Sequence, residues 1–285
     1  MDLYHEQMEF SRLPLCGGQP EPLLKRSCVS GSFEETFREA LEELQKTLSN
    51  FPGGLAGLGV LVPGPYYADK DTVVNRRIPQ LTGLPLKSIL RGYFPDLPIV
   101  IEEDVKFAAS YAIRQVEDYE AKTIFYAYVG EGVGGAIIQN AENFRSAHSY
   151  SADFGQFKVH GGVTVESLVS LKRFRAQFPD LYAGKQIRPE QVPGLESYLE
   201  EIQQVLIECF VSVMWLIDPD ILLFDSEYDR YLPDFFPRLS QSYQEHAARE
   251  RGEDIPLLLR AHTGENALYQ GARNSVRTLF LQQLV

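Results

Sequence analysis

An apolar run that halts abruptly at glycine is the pattern that most restricts this chain. Leu55 to Val62 is almost unbroken apolar sequence, stopped by Pro63-Gly64-Pro65. Ile99-Val100-Ile101 leads into Glu102-Glu103-Asp104 and then a buriable stretch, Val105-Lys106-Phe107-Ala108-Ala109. Thr123 to Val129 is rich in β-formers and runs into Gly130-Glu131-Gly132-Val133-Gly134-Gly135. The apolar runs lack the in–out alternation of a sheet with one wet face. They call for strands of a parallel sheet covered on both sides.

The rest of the chain supplies the covering helices. Met8 to Leu15 and Leu23 to Val29 read as strands joined at Gly17-Gly18-Gln19-Pro20. Ser32 opens a helix, with Glu35 at capping-box spacing. Phe33, Phe37, Ala40, Leu41, Leu44 and Leu48 line one face of it, and Asn50 with Pro52-Gly53-Gly54 ends it. Leu86–Tyr93, Val105–Gln115, Val163–Phe178, Glu196–Ile217, Tyr231–Ala248 and Asn266–Leu281 read as further helices. Strands are expected at Pro98–Glu102, Lys122–Val129, Ala136–Gln139, Ile221–Phe224 and Leu257–Arg260, and a loop at Ala183–Gly194. Helices and strands alternate through two successive sets, which means α/β with two sheets.

Charge and cysteine content exclude some function classes. The 285 residues carry a formal charge of −12. Gripping a nucleic-acid backbone calls for clustered Lys and Arg, so no nucleic acid is expected through this chain alone. A neutral or cationic small ligand in the cytoplasm fits better. Cys16, Cys28 and Cys209 are too few and too scattered for a disulfide framework or a Cys-based metal site. Met1 to Glu6 has neither the basic region nor the apolar core of a signal peptide, and no apolar run is long enough to span a bilayer.

In order and spacing, these segments resemble the ROK family of sugar kinases and sugar-responsive repressors, a branch of the actin-like ATPase folds. The resemblance rests on Leu58-Gly59-Val60-Leu61-Val62-Pro63-Gly64-Pro65, on Val74-Asn75 with Leu81-Thr82-Gly83-Leu84-Pro85-Leu86, and on Ile101 to Ala109. Ser151-Ala152-Asp153-Phe154-Gly155-Gln156 falls where the family has Gly-Glu-Ile-Gly-His, and Thr263 to Ala272 also matches. The resemblance implies two lobes with a ligand cleft between them. Residues 1–104 would form the first, with the helix at about 266–285 packed back on it, and 105–265 the second.

The same resemblance implies three nucleotide elements, and each departs from the family's pattern. Its Asp-x-Gly-Gly-Thr turn falls on Asp2-Leu3-Tyr4-His5-Glu6, without either glycine. Its Gly-Thr-Gly becomes Gly130-Glu131-Gly132, and its late glycine turn becomes Phe224-Asp225-Ser226-Glu227. Two like charges about 4 Å apart cost about 1 kcal/mol in water and about 4 at an effective dielectric of 20. A multiply charged triphosphate would meet that cost more than once. Gly130, Gly132 and Gly134 therefore read as a degenerate nucleotide loop; the competing reading has the loop still cradling phosphate, with Glu131 turned away. The family's zinc site is also broken, because Gln156 replaces the His ligand and no Cys follows.

The sugar side is better kept. The resemblance assigns Asn75, Glu103, Asp104, Asp153, Gln156 and Glu166 to sugar binding, and amides and carboxylates suit adjacent hydroxyls. Asp104 matches the family's general base, the catalytic residue if the chain is a kinase. Each has a structural alternative. Asp104 is a favoured helix cap, Glu166 suits the first turn of its helix, Asp153 is a solvated loop acid, and Asn75 shapes a turn. Lys106 is positioned to pair with Glu103 or Glu102.

Three functions follow for comparison. The first is a sugar-sensing and self-associating domain that binds a small carbohydrate or phosphosugar, needs no cofactor, and belongs to a regulator or a free-standing relative. The winged helix that precedes this domain in the family's repressors is absent from this chain. The second is an ATP- and Mg²⁺-dependent sugar kinase. The third is a scaffold that has lost both ligands.

Overall fold

The computed structural model describes residues 1–4, 7–28, 32–49, 54–74, 78–181, 187–264 and 266–283. The chain divides into two compact units. One comprises Met1–Tyr111, Arg145–Tyr150 and Thr263–Val285; the other comprises Ala112–Phe144 and Ser151–His262.

The first unit carries the strands β1 (Asp2–Tyr4), β2 (Gln7–Arg12), β3 (Glu21–Ser27) and β4 (Leu58–Val62). A small hairpin, β5 (Tyr66–Tyr67) and β6 (Thr72–Val73), precedes β7 (Ile99–Glu103). Its helices include α1 (Phe33–Leu48), α2 (Leu86–Tyr93) and α3 (Asp104–Ala112). Among the described residues the main sheet has the order β3-β2-β1-β4-β7. The first two pairings are antiparallel, and β1–β4 and β4–β7 are parallel. Register runs from Leu58 opposite Ile99 to Val62 opposite Glu103, which brings the acids of β7 level with the end of β4. Ser32 caps α1 through its hydroxyl, and Phe33, Phe37, Ala40, Leu41 and Leu44 are buried on the face the apolar spacing marks out. The helix stop at 50–53 lies outside the described residues.

The cap of α2 comes from elsewhere in the chain. Pro85 stands at its N-terminus and offers no side-chain cap. Asp71 fills the role from the β5–β6 turn. Its carboxylate accepts the Lys87 and Ser88 amides and the Ser88 hydroxyl, each at 2.8 Å, and the Tyr66 hydroxyl at 2.9 Å. Burial pushes this carboxyl upward, but those donors outweigh it and hold it below the usual range. Asp71→Ala is expected to lower stability by about 2 kcal/mol, a lost cap plus orphaned donors, read as a shift in the urea midpoint.

The second unit carries β8 (Ile124–Val129), β9 (Val133–Gln139) and β10 (Glu142–Asn143). The helices α4 (Val165–Val169), α5 (Leu171–Gln177) and α6 (Leu195–Ile217) follow, then β11 (Ile221–Ser226), α7 (Phe235–Arg251) and β12 (Leu257–Arg260). The sheet order is β10-β9-β8-β11-β12 among the described residues, with β8, β11 and β12 parallel. One face of it is a dense aromatic core that includes Phe125, Phe154, Phe210, Phe224 and Tyr243.

The last helix, α8 (Ala267–Gln282), returns to the first unit. Ala272 packs with Leu61 of β4 and Phe107 of α3. That packing explains a correction to the expected boundary: α3, expected to open the second lobe at residue 105, belongs to the first unit through Tyr111. The single helix expected over 163–178 is two. Ser170 is extended between them, which frees the Leu171 amide to donate to the Gly130 carbonyl at 2.8 Å. The helix expected from Tyr231 starts only at Phe235, after a 3₁₀ turn at Glu227–Arg230. Among the described residues no helix is long and apolar enough to cross a membrane.

Candidate functional site

The candidate residues fall into two groups, one in each unit. In the first unit they gather where β7 meets α3. Glu103 ends the strand and Asp104 opens the helix. Asp104 is exposed, and its carboxylate accepts the Val105 amide at 2.6 Å, so it starts the helix while remaining open to solvent. Glu103 is not open in this way. Its carboxylate pairs with the ammonium of Lys106, one turn along α3. Lys106 is buried, lies 3.8 Å from Glu102, and also donates to the Ser149 carbonyl at 3.2 Å. Burial pushes the Glu103 carboxyl up to about 7 against the pull of Lys106. One oxygen of Glu103, a residue the resemblance assigns to sugar binding, is engaged by Lys106, the pairing the sequence spacing allowed.

Asp2 joins this group. The turn expected at Asp2–Glu6 is strand as far as Tyr4, and His5 and Glu6 lie outside the described residues. Asp2 pairs with Leu61 across the sheet. Burial raises its carboxyl to about 6 against the pull of the N-terminal ammonium, the charges of Asp104 and Glu9 add to the rise, and the Tyr269 hydroxyl on α8 opposes it slightly. Asp2 and Asp104 thus sense one another's charge. The retained Asp of the Asp-x-Gly-Gly-Thr match was the sequence signal for this neighbour. Asn75, Glu265 and the His160 side chain lie outside the described residues and side chains.

In the second unit the glycine turn connects β8 to β9. The Gly130 amide donates to the Gly132 carbonyl at 2.9 Å. Gly134 is already inside β9, opposite Tyr128, so it belongs to the sheet and not to the loop. Glu131 does not stand free over the turn, because Arg175 of α5 pairs with it. Both side chains are partly exposed, so the pair contributes little to stability, but it compensates the charge expected to repel phosphate.

A different anion lies against the loop. The Tyr128 hydroxyl donates to Glu227 Oε1 at 2.5 Å. A methyl built on Gly130 would fall 2.8 Å from that same oxygen and 2.6 Å from Tyr128 Cζ, nearer still to the hydroxyl. Tyr126 donates in parallel to Asp225 at 2.7 Å. The two phenol–carboxylate pairs join β8 to the end of β11 and to the turn that follows it, which Ser226 caps from between the two acids. The space beside Gly130 is therefore occupied by the protein's own side chains.

Glu166 also reaches this loop. Thr164 caps α4, and Glu166 in its first turn accepts the Val133 amide at 3.3 Å and lies 3.6 Å from a methyl position on Gly132. Asp153 precedes a 3₁₀ turn, Phe154–Gln156, and Gln156 ends it; Asp153 is half-buried and Gln156 exposed. Among the described residues, no three His, Cys, Asp or Glu side chains come together as a metal-holding group.

Comparison with known proteins bears on this arrangement. The model of the ROK family matches residues 23–278. An N-acetyl-D-glucosamine kinase of Yersinia pseudotuberculosis is 20% identical over 267 residues, covering 82% of this chain and 84% of that one. A ROK family protein from Streptococcus pneumoniae, solved in complex with sucrose, superposes with a TM-score of 0.74 at 19% identity, over 99% of this chain and 98% of that one. A ROK family transcriptional regulator, described as a homologue of the E. coli MLC protein, superposes with a TM-score of 0.76 at 15% identity, over 100% and 79%.

Proposed function

This chain belongs to the ROK family, and from that membership we propose that it is a carbohydrate-sensing, self-associating domain that does not transfer phosphate. The fold is the actin-like one of the family's sugar kinases. The observation that carries the reading is the space beside Gly130. A phosphate cradle needs glycine so that ligand oxygens approach the backbone closely. Here the Tyr128 hydroxyl and the Glu227 carboxylate hold that approach. A triphosphate would have to displace a hydrogen-bonded pair and then face the freed carboxylate. The residues present therefore fit the phosphate side of ATP poorly.

Of the residues the resemblance assigns to sugar, the first unit presents Asp104 exposed, and the second unit presents Gln156 exposed with Asp153 and Glu166 half-buried. The ligand class that follows is a small carbohydrate or phosphosugar, in line with the N-acetyl-D-glucosamine of the Yersinia kinase's name and the sucrose in the Streptococcus structure. Calorimetry with N-acetyl-D-glucosamine, glucose and sucrose, each with and without ATP and Mg²⁺, tests the proposal. The expected result is binding of at least one sugar with affinity unchanged within about twofold by nucleotide, a free-energy difference under about 0.5 kcal/mol. Tighter binding with ATP, accompanied by ADP release, overturns it.

The second reading, an ATP-dependent sugar kinase, is favoured by one observation. Asp104, the match to the family's general base, opens α3 exposed to solvent, where an attacking hydroxyl can reach it. Asp104 would then take the proton of the attacking hydroxyl. Under this reading Asp104→Asn lowers turnover by about 10²-fold or more while sugar affinity stays nearly unchanged, which a coupled ADP assay measures.

A further inference from the structure

Close to the Glu103–Lys106 pair, the first unit displays aromatic surface that the sensing function described above leaves unused. Tyr150 is 46% exposed, and its ring meets the half-buried Tyr67 edge to face, with centroids 6.1 Å apart and planes at 76°. The two rings make a corner. Tyr67 lies in β5, and the Lys70 ammonium sits 5.9 Å from its ring centre.

The segment that carries Tyr150 is firmly held. Arg145–Tyr150 belongs to the first unit, although the chain before and after it belongs to the second. Ser149 fixes it at two points. Its hydroxyl donates to the Tyr66 carbonyl at 3.0 Å, and its own carbonyl accepts from Lys106 at 3.2 Å. One residue therefore links the aromatic corner to the ammonium that holds Glu103, next to Asp104. Tyr150 belongs to none of the core clusters, and its ring contact is with Tyr67.

We propose that Tyr67 and Tyr150 form a stacking subsite for a second ring, the distal sugar of a disaccharide or the aglycone of a glycoside, whose first sugar is held near Asp104. The chemistry is general. One face of a pyranose is a patch of C–H groups with slight positive charge, and it packs on the negative face of an aromatic ring. Two rings at a steep angle also suit a partner that bends at a glycosidic bond. This inference rests on the carbohydrate-sensing reading, and it names the size of the ligand.

Calorimetry with matched pairs decides it: N-acetyl-D-glucosamine against N,N′-diacetylchitobiose, and glucose against sucrose. For the pair that binds, the disaccharide is expected to bind about tenfold tighter than the monosaccharide. Tyr150→Ala and Tyr67→Ala should each remove most of that gain and leave monosaccharide affinity within about twofold, and Tyr150→Phe should keep it. Equal affinity for the two members of a pair, or a gain that survives both alanine substitutions, overturns the subsite and leaves the sensing function standing. Absence of binding by all four sugars overturns the sensing function itself and the subsite with it.

Discussion

A single methyl group at position 271 is expected to cost the first unit about 3 kcal/mol. Gly271 lies inside α8, and in an open helix Gly→Ala gains about 1 kcal/mol. Packing reverses the sign here. The added carbon would stand 2.5 Å from the Phe107 carbonyl carbon and 3.0 Å from its Cα, closer still to the oxygen. These are backbone atoms of α3, so no rotamer change relieves the overlap. The helices would have to part by roughly 1 Å to restore ordinary contact distances. That separation opens the cluster of Leu61, Phe107 and Ala272. Gly92→Ala is the matched control. It lies in α2, where an added methyl meets nothing within 4 Å among the described residues, and it should raise stability by up to about 1 kcal/mol. Urea unfolding of the two variants, followed by circular dichroism, separates the effects. Equal stability of Gly271→Ala and wild type would contradict the close approach of α3 and α8.

Lys106→Met is expected to be nearly as severe in alkaline solution, about 3–5 kcal/mol, because there it leaves Glu103 as an unpartnered buried charge. The cost should depend on pH, with a definite sign. An unfolded Glu loses its proton near 4.5, whereas burial holds the folded Glu103 carboxyl to about 7. Between those values the folded state carries the extra proton, so this residue's contribution to stability falls as pH rises and is least favourable above 7. A protonated Glu103 needs no cation. Without the pull of Lys106 the variant's Glu103 holds its proton to higher pH than the wild type's, so the penalty of Lys106→Met should grow as pH rises beyond 7 and level off below it. Asp2, raised to about 6, adds a slope of the same sign in wild type and variant alike, so the difference between them isolates Glu103. Denaturant midpoints across pH 5–9 provide the measurement. A penalty independent of pH would mean that the ammonium of Lys106 does not neutralise that carboxylate.

What could be read from the residues divides along the range of the forces involved. α1 was legible in full because its cap at Ser32 and its apolar stripe are local. The bounds of α2 and β12 coincide with the apolar patterning for the same reason. β1 escaped notice because three residues are too few to show a period. The break at Ser170 has no local signal, since its cause is a bond from Leu171 to Gly130 across the fold. The site follows the same rule. Lys106 stands in the first turn of α3, three residues beyond the strand-ending Glu103, and the pairing was readable from spacing. The partner of Glu131 is Arg175, and the partner of Tyr128 is Glu227, 99 positions away. Tertiary structure alone determines those two. The first compensates the charge that the sequence placed over the glycine turn, and the second supplies a different one.

The placement of α8 has a consequence for how this chain is made. The second unit is complete once residue 262 has been synthesised, whereas the first must wait for Gly271, Ala272 and Val276 to cover β4 and α3. Domains tend to fold as units as they leave the ribosome. The half of the molecule that is translated first is therefore finished last, and until then Leu61 and Phe107 stay bare to chaperones and proteases in the nascent chain.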